Sequence, residues 1–304
     1  MWFKNLIIYQ LEQPFAYDAE TLEAKLEPAR FRPCTPHQLS SLGWTSPLGK
    51  DDEMRVHAGS GAFLICAKKE ERILPASVIK DFMAERIEAI ENAEMRKVRK
   101  SERDQIRDEV VLDLTPKAFT RSHVTFALIL PEQRLLLIDA SSLKKADEFT
   151  DLLRKTLGDT PLSIPKTIHS VSDRLTQWLT DPSLLPSDFK IGDECELQQP
   201  TDEGGIVRCR RHDLESEEIR KHLDAGKRGV KLALHWAEKL SFVLLEDLSL
   251  KKLKYADELL EQAADLGADD AAARFDAEFT LMTLELAQFV PRLAEVLGGF
   301  DTDE

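Results

Sequence analysis

The stretch from Ser77 to Arg121 limits the possible folds more than any other part of the chain. A helical pattern through Ile79, Phe82, Met83, Ile87 and Ile90 runs straight into Glu94–Arg121, EMRKVRKSERDQIRDEVVLDLTPKAFTR. Unbroken, a helix of about 35 residues would be about 50 Å long, and even a broken pair is long enough to form an arm projecting from the body. Ser101 with Asp104 three residues on resembles a capping box, which predicts one helix ending near Lys100 and another starting at Ser101. Pro116 closes the helical region and puts Lys117, Phe119 and Arg121 on a turn.

The same stretch concentrates positive charge. Arg96, Lys97, Arg99, Lys100 and Arg103 stand against Glu102 alone between Arg96 and Arg103. On a helix, Arg96, Arg99, Lys100, Arg103 and Arg107 form one basic stripe, while Met95, Val98, Ile106 and Val110 fall largely on another side. The expected break near Lys100 places Arg96 to Lys100 at a helix C-terminus, where the macrodipole favours cations. Such a ridge fits a polyanion, although a solvated helix face gives the same pattern. A second cluster, Arg208, Arg210 and Arg211, lies in VRCRRHD, where a strand places Arg208 and Arg210 on one face. Guanidinium forks match phosphate oxygens, and ordinary pairing with Glu203 or Asp213 is the competing reading.

A net charge of -14 argues at first against nucleic acid, but its distribution matters. Glu261–Glu304 holds eleven Asp or Glu against Arg274 and Arg292, so -9 of the -14 lies in the last 44 residues. A segregated acidic end can sit away from a basic face. The four cysteines, Cys34, Cys66, Cys195 and Cys209, show no CxxC spacing and read as reduced thiols of a cytosolic protein. The opening MWFKNLIIYQLEQPF reads as a strand and not a signal peptide, and no apolar run suggests a membrane span. No cofactor or metal is expected: Gly59-Ser60-Gly61 lacks the rest of a phosphate loop, and HExxH, GxSxG and cysteine–histidine zinc spacings are missing from the sequence. Asp193-Glu194 is a possible but uninformative Mg2+ pair. A binding protein without enzymatic activity is therefore expected, against two alternatives: a Mg2+-dependent DNA-processing enzyme and a protein-only adaptor.

Elsewhere the pattern alternates strands and helices. Strands are expected at Trp2–Leu11, Ala62–Lys68, Arg72–Leu74, His123–Leu130 and Arg134–Asp139, with a charged turn at Lys69-Glu70-Glu71. Helices are expected at Asp18–Leu26, capped by Asp18, at Leu143–Leu157 and at Val171–Leu179. Pro33–Gly61 reads as a loop pinned by Trp44, and Asp181–Pro186 as a linker. Beyond it come strands at Cys195–Gln198 and Gly205–Arg210 about a turn Asp202-Glu203-Gly204, then a helix Ser216–Ala225. A hairpin Lys231–Trp236 with Ser241–Leu245 and a helix Lys254–Ala263 follow, echoing His123–Leu157. Ala271–Leu297 is amphipathic, with Phe275, Phe279, Met282, Leu286 and Phe289 on a core-facing side and an interruption near Pro291. The fold class is α+β with mixed antiparallel sheets: a central domain from 1–76 and 122–181, a helical arm over 77–121, and a second α+β domain over 182–304.

Several segments together resemble the RdgC family of recombination-associated proteins: WFKNLIIYQL, ICAKKEERILPASVIK, KSERDQIRDEV, PKAFTR, GGIVRCRRHDL, KLALHW and ARFDAEFTLMTLELAQFV, in one collinear order over essentially the whole chain. The resemblance implies a cytoplasmic, nucleoid-associated protein with a horseshoe-like subunit and a ring-shaped homodimer. It also implies binding of single- and double-stranded DNA with little sequence preference, and restraint of RecA by occupying DNA. On that resemblance the DNA-facing positions fall on Arg96, Lys117, Arg211 and His212, and Phe119 on a ring contact. His212 departs from the related pattern, where Arg211-His212 reads Lys-Gln. From the residues alone Phe119 is equally the first buried residue of a strand.

Overall fold

The computed structural model describes residues 1–49, 52–158, 160–201, 204–267 and 270–301. Asp202 and Glu203, part of an expected turn and of an expected partner set for the second arginine cluster, lie outside the described residues. The first half contains β1 (Ile7–Leu11), α1 (Ala19–Leu26), β2 (Ser40–Thr45), β3 (Val56–Gly59), β4 (Ala62–Arg72), α2 (Ala76–Glu94), α3 (Lys100–Leu114), β5 (Thr120–Leu130), β6 (Leu135–Ile138), α4 (Leu143–Leu157), β7 (Leu162–Ser163) and α5 (Val171–Thr180). The second contains β8 (Phe189–Gln198), β9 (Ile206–Arg210), α6 (Glu217–Asp224), β10 (Arg228–Trp236), β11 (Leu240–Leu245), β12 (Leu250–Tyr255), α7 (Asp257–Leu266) and α8 (Ala271–Val296).

Two antiparallel sheets result, in accord with an α+β class. One is seven-stranded, in the order β2-β4-β5-β6-β1-β7 with β3 also on β4; the other is five-stranded, in the order β12-β11-β10-β8-β9. The first sheet is covered on both faces, and strand periodicity divides its side chains between two cores. Leu136 and Ile138 of β6 join Ile65, Ala127 and Ile129 against α1 and α4, where Trp44 and Phe149 also lie. Leu135 and Leu137 join Leu64 and Leu128 in the other core, shared with Leu232, Leu244 and Leu250 of the second sheet, with α5 and with α8. Backbone bonds Leu6 N–H to Leu250 O and Leu250 N–H to Leu6 O, both 2.9 Å, tie the halves together.

Several sequence expectations need correction. The charged Lys69-Glu70-Glu71 is no turn: β4 runs unbroken between β2 and β5, and the Lys69 ammonium reaches Glu71 at 2.8 Å and Glu148 at 2.9 Å. Pro33–Gly61 is not all loop, because β4 templates β2 and β3. Trp44 does anchor this region, its indole N–H donating to Thr156 Oγ1 at 2.9 Å. The N-terminal strand is confined to Ile7–Leu11. Lys254 belongs to β12, a strand the pattern conceals: Lys252 adopts φ 54° and the register shifts between Ser241 and Val243, so Leu250, Leu253 and Tyr255 lose strict alternation. This strand also separates the second hairpin from its helix, so the echo of the first half is imperfect.

β8 starts six residues before the expected Cys195 and bulges opposite Ala233, where a Cβ on Gly192 would come within 2.9 Å of the Ala233 Cβ. α8 continues through Pro291 to Val296 because Leu293, Ala294 and Leu297 beyond the proline are buried. Its Phe279, Met282, Leu286 and Phe289 are core residues as expected. Asp18 caps α1 as expected, its carboxylate accepting from the Thr21 N–H at 2.8 Å.

Candidate nucleic-acid interface

α2 and α3 form a helical hairpin around an apolar cluster of their own. Val98, Ile106 and Val110 pack there with Ile79, Met83, Ile87, Ile90 and Leu114. Met95 closes α2 in the left-handed conformation, φ 50°, and Val98 turns inward to 5% exposure, so the chain reverses before α3 begins at Lys100. Arg86 bridges from α2 to Asp113 and, at 3.7 Å, to Glu109 of α3.

The basic stripe expected on one helix is therefore broken. Arg96, Lys97 and Arg99 lie on the connecting loop, while Lys100 and Arg103 belong to the first turn of α3. Both cations sit at a helix N-terminus, the end whose dipole disfavours them; for Lys100 this replaces the expected C-terminus, whereas Arg103 lies in the first turn of the second helix as expected. Glu102 compensates. Its carboxylate accepts from the Arg99 backbone N–H at 2.8 Å, so this pair stands in place of the expected Ser101–Asp104 box. The loop is held by further carboxylates: Arg96 bonds Glu102 at 2.6 Å and 2.8 Å and Glu94 at 2.6 Å, and Lys97 bonds Glu91 at 2.7 Å. The Arg96 side-chain bonds, helped by the Arg99 backbone N–H, pull the Glu102 carboxyl down to about 2. Among the described residues Arg99, Lys100 and Arg103 make no ion pair within 4.0 Å, and all three are exposed.

At the other end of α3 a single tight turn, Thr115–Lys117, leads into β5. Lys117 and Phe119 project from it while its backbone is pinned: Arg72 donates to Ala118 O and Ile73 N–H to Phe119 O, each at 2.8 Å. Phe119 is 85% exposed and precedes the strand, which overturns its reading as a first buried strand residue. Arg121 stands exposed on β5 opposite Glu71 of β4, whose carboxyl the Lys69 hydrogen bond lowers and the Arg121 charge helps to lower, and makes no ion pair within 4.0 Å among the described residues. Fourteen steps of helix separate Lys100 from Leu114, roughly 20 Å, so Lys117 and Arg121 form a patch apart from the hairpin tip.

The third group lies on the second sheet. Register places Arg208 opposite Glu196 and Arg210 opposite Glu194. Arg208 approaches Glu196 at 2.9 Å and Arg210 approaches Glu194 at 3.6 Å. The expected alternation holds: Arg208 and Arg210 are exposed, while Val207 and Cys209 pack against the core. Two further cations complete this face, Lys231 at 2.8 Å from Glu196 and Lys252 beside Glu194. Burial tends to raise the Glu196 carboxyl, yet the Lys231 and Arg208 contacts outweigh it and lower the pKa. Four cations thus surround two carboxylates. Arg211, at φ 53°, ends the strand exposed and without an ion pair among the described residues. His212 is half-buried, its ring 3.5 Å from Glu218 and from Ser216 Oγ.

Sequence reasoning missed Lys231 and Lys252. Lys231 was legible as an outward residue of an alternating strand, but its place beside Glu196 depends on a cross-strand register that spacing does not contain. No hydrogen bond or ion pair among the described residues joins the three basic groups to one another. Nor does any group of three or more His, Cys, Asp or Glu among the described residues converge to hold a metal ion. Among the described residues no helix is long and apolar enough to cross a membrane.

Comparison with known proteins extends over nearly the whole chain. Residues 1–300 match the family model described as "Putative exonuclease, RdgC". A protein of Tolumonas auensis named recombination-associated protein RdgC is 46% identical over 300 residues, covering 98% of this chain and 99% of the relative. Proteins of the same name from Aeromonas hydrophila and Pseudomonas aeruginosa are 45% and 46% identical, each alignment covering 98% of both chains.

Proposed function

The chain belongs to the RdgC family, and from that premise we propose that it binds single- and double-stranded DNA through the sugar-phosphate backbone with little sequence preference. The observation that carries this reading is the set of exposed cations that make no ion pair within 4.0 Å among the described residues, Arg99, Lys100, Arg103, Lys117, Arg121 and Arg211, in a chain of net charge -14. Fixed ammonium and guanidinium groups replace the counterions of phosphates and release them to bulk solution. Arg96, Lys97, Arg208, Arg210 and His212 are already engaged by carboxylates, so a phosphate must displace an intramolecular partner there. Their part in affinity is correspondingly smaller.

In the assembly we propose, the subunit is horseshoe-like with the α2–α3 hairpin as its arm. Two subunits close a ring around the duplex, with the exposed Phe119 ring at one of the two contacts. DNA held in this way is less available to a RecA filament, and recombination is restrained in the nucleoid without nucleotide hydrolysis. Anisotropy measurements with labelled duplexes of unrelated sequence, and with a single strand, test the binding step. Affinities within about tenfold of one another support it; absence of binding, or a preference of the 10³-fold order typical of sequence-specific proteins, would overturn it.

The description of the matching family favours a second reading, that of an exonuclease. Incubation of end-labelled duplex with the protein and Mg2+ separates the two. Release of mononucleotides in proportion to enzyme would establish the nuclease; intact DNA under conditions of full binding retains the non-enzymatic reading.

A further inference from the structure

Cys195 of β8 and Cys209 of β9 are directly opposed in the antiparallel ladder. Both lie on the core-facing side, Cys195 buried and Cys209 half-buried. Directly opposed residues of such a pair have Cα atoms about 4.5–5.5 Å apart, inside the range that a disulfide spans without backbone movement. The two thiols are close enough to act on one another: burial first, and then the Cys209 sulfur, push the Cys195 thiol up to about 12. Among the described residues the other two cysteines face no cysteine across a strand pair. Cys66 faces Thr45 and Phe126 across its strand pairs, and the Cys34 thiol donates to Glu70 O at 3.4 Å.

We infer that Cys195 and Cys209 form a reversible dithiol–disulfide modification site that takes hydrogen peroxide as oxidant. The more accessible Cys209 sulfur attacks one peroxide oxygen; the O–O bond breaks, Cys209 becomes a sulfenic acid, and the departing oxygen leaves as water with the thiol proton. The Cys195 sulfur then attacks the Cys209 sulfur, the S–O bond breaks, and the hydroxyl leaves as a second water with the Cys195 proton. Two electrons pass from the thiol pair to the peroxide. The raised pKa of Cys195 makes the second step slow at neutral pH and faster as pH rises.

The bond would fasten β9 at a position flanked by Arg208 and Arg210. Among the described residues β9 is the edge strand of its sheet and pairs with β8 alone. It is therefore among the strands most easily lost by fraying, and a covalent tie closing residues 195–209 restricts the unfolded chain as well.

The test exposes the full-length reduced protein to hydrogen peroxide, quenches with catalase, alkylates the remaining thiols and maps the peptides. The expected product keeps two of its four thiols, Cys34 and Cys66, and carries a Cys195–Cys209 cross-linked peptide. It is about 2 Da lighter before alkylation and reverts with dithiothreitol. Its unfolding midpoint rises by roughly 5 °C over the reduced protein. Cys209→Ser, with its fold checked by circular dichroism, is expected to lose the cross-link and the midpoint shift. Survival of all four thiols, oxidation of Cys209 to a sulfinic acid with Cys195 still free, or an intermolecular disulfide through Cys34 would each overturn the assignment.

Discussion

Arg96 shows how one residue can be present, exposed and basic yet already occupied. Glu94 and Glu102 hold its guanidinium in direct ion pairs, whereas Arg99, Lys100 and Arg103 make none within 4.0 Å among the described residues. Glu102→Gln is expected to release Arg96 toward phosphate and strengthen duplex binding about two- to tenfold, as one exposed charge contact permits; weaker binding in the anisotropy assay would contradict this. The depressed Glu102 carboxyl has a defined pH consequence. Its pairing is fully present above the ordinary value of 4.5 and is lost as pH falls through about 2, so carboxyl NMR should show Glu102 titrating near 2. Phe119 belongs to this scale as well. Being 85% exposed, it can be replaced by serine without unfolding, and Phe119→Ser is expected to weaken dimerisation at least tenfold by sedimentation equilibrium, with an unchanged dimer constant as the contrary result. Residue identities were readable in the sequence, but occupancy was not: whether a guanidinium meets a carboxylate depends on the loop at Met95 and on strand register.

Among the elements, the α2–α3 hairpin was the most legible, because its apolar spacing is helical and its charge pattern continuous. The start of the second helix was expected at Ser101 and lies at Lys100; what spacing could not locate was the end of the first, at Glu94 and not near Lys100. A left-handed Met95 carries no glycine signal, and inward-facing Val98 looked like any helical apolar residue. Val98→Asp places an ionised group in the small cluster with Ile106 and Val110, and is expected to cost about 3 kcal/mol of hairpin stability. Hydrogen exchange should then accelerate over residues 77–114 while β4 to β6 remain protected; uniform acceleration would show that the hairpin has no separate stability. β12 went unseen for a related reason, since the bulge at Lys252 hides its alternation. In α8 the proline suggested an interruption, but the buried Leu293 and Leu297 beyond it outweigh one lost backbone bond and the helix runs through.

For the whole molecule, the alternating side chains of β6 decide the architecture. Leu136 and Ile138 serve one core and Leu135 and Leu137 the other, which also contains residues of the second sheet. The α+β class was legible from the order of elements, whereas the shared core was not, because sequence spacing shows that a strand is covered on both faces without saying by what. Leu137→Ala removes a fully buried side chain from that shared core and is expected to cost about 3 kcal/mol. Circular dichroism and tryptophan fluorescence should report one common transition at a lower midpoint; two separated transitions would mean that the sheets unfold independently. The net charge of -14 makes DNA binding a local property of the basic groups, with the remaining surface repelling the phosphates. The most direct measurement is the slope of log affinity against log salt for a long duplex between about 50 and 200 mM, comparing this chain with the triple variant Arg99→Gln, Lys100→Gln, Arg103→Gln. Phosphate contact at the hairpin tip requires the variant's slope to be shallower by roughly 2.7, three contacts at about 0.9 each. Identical slopes, or an affinity indifferent to salt, would contradict it.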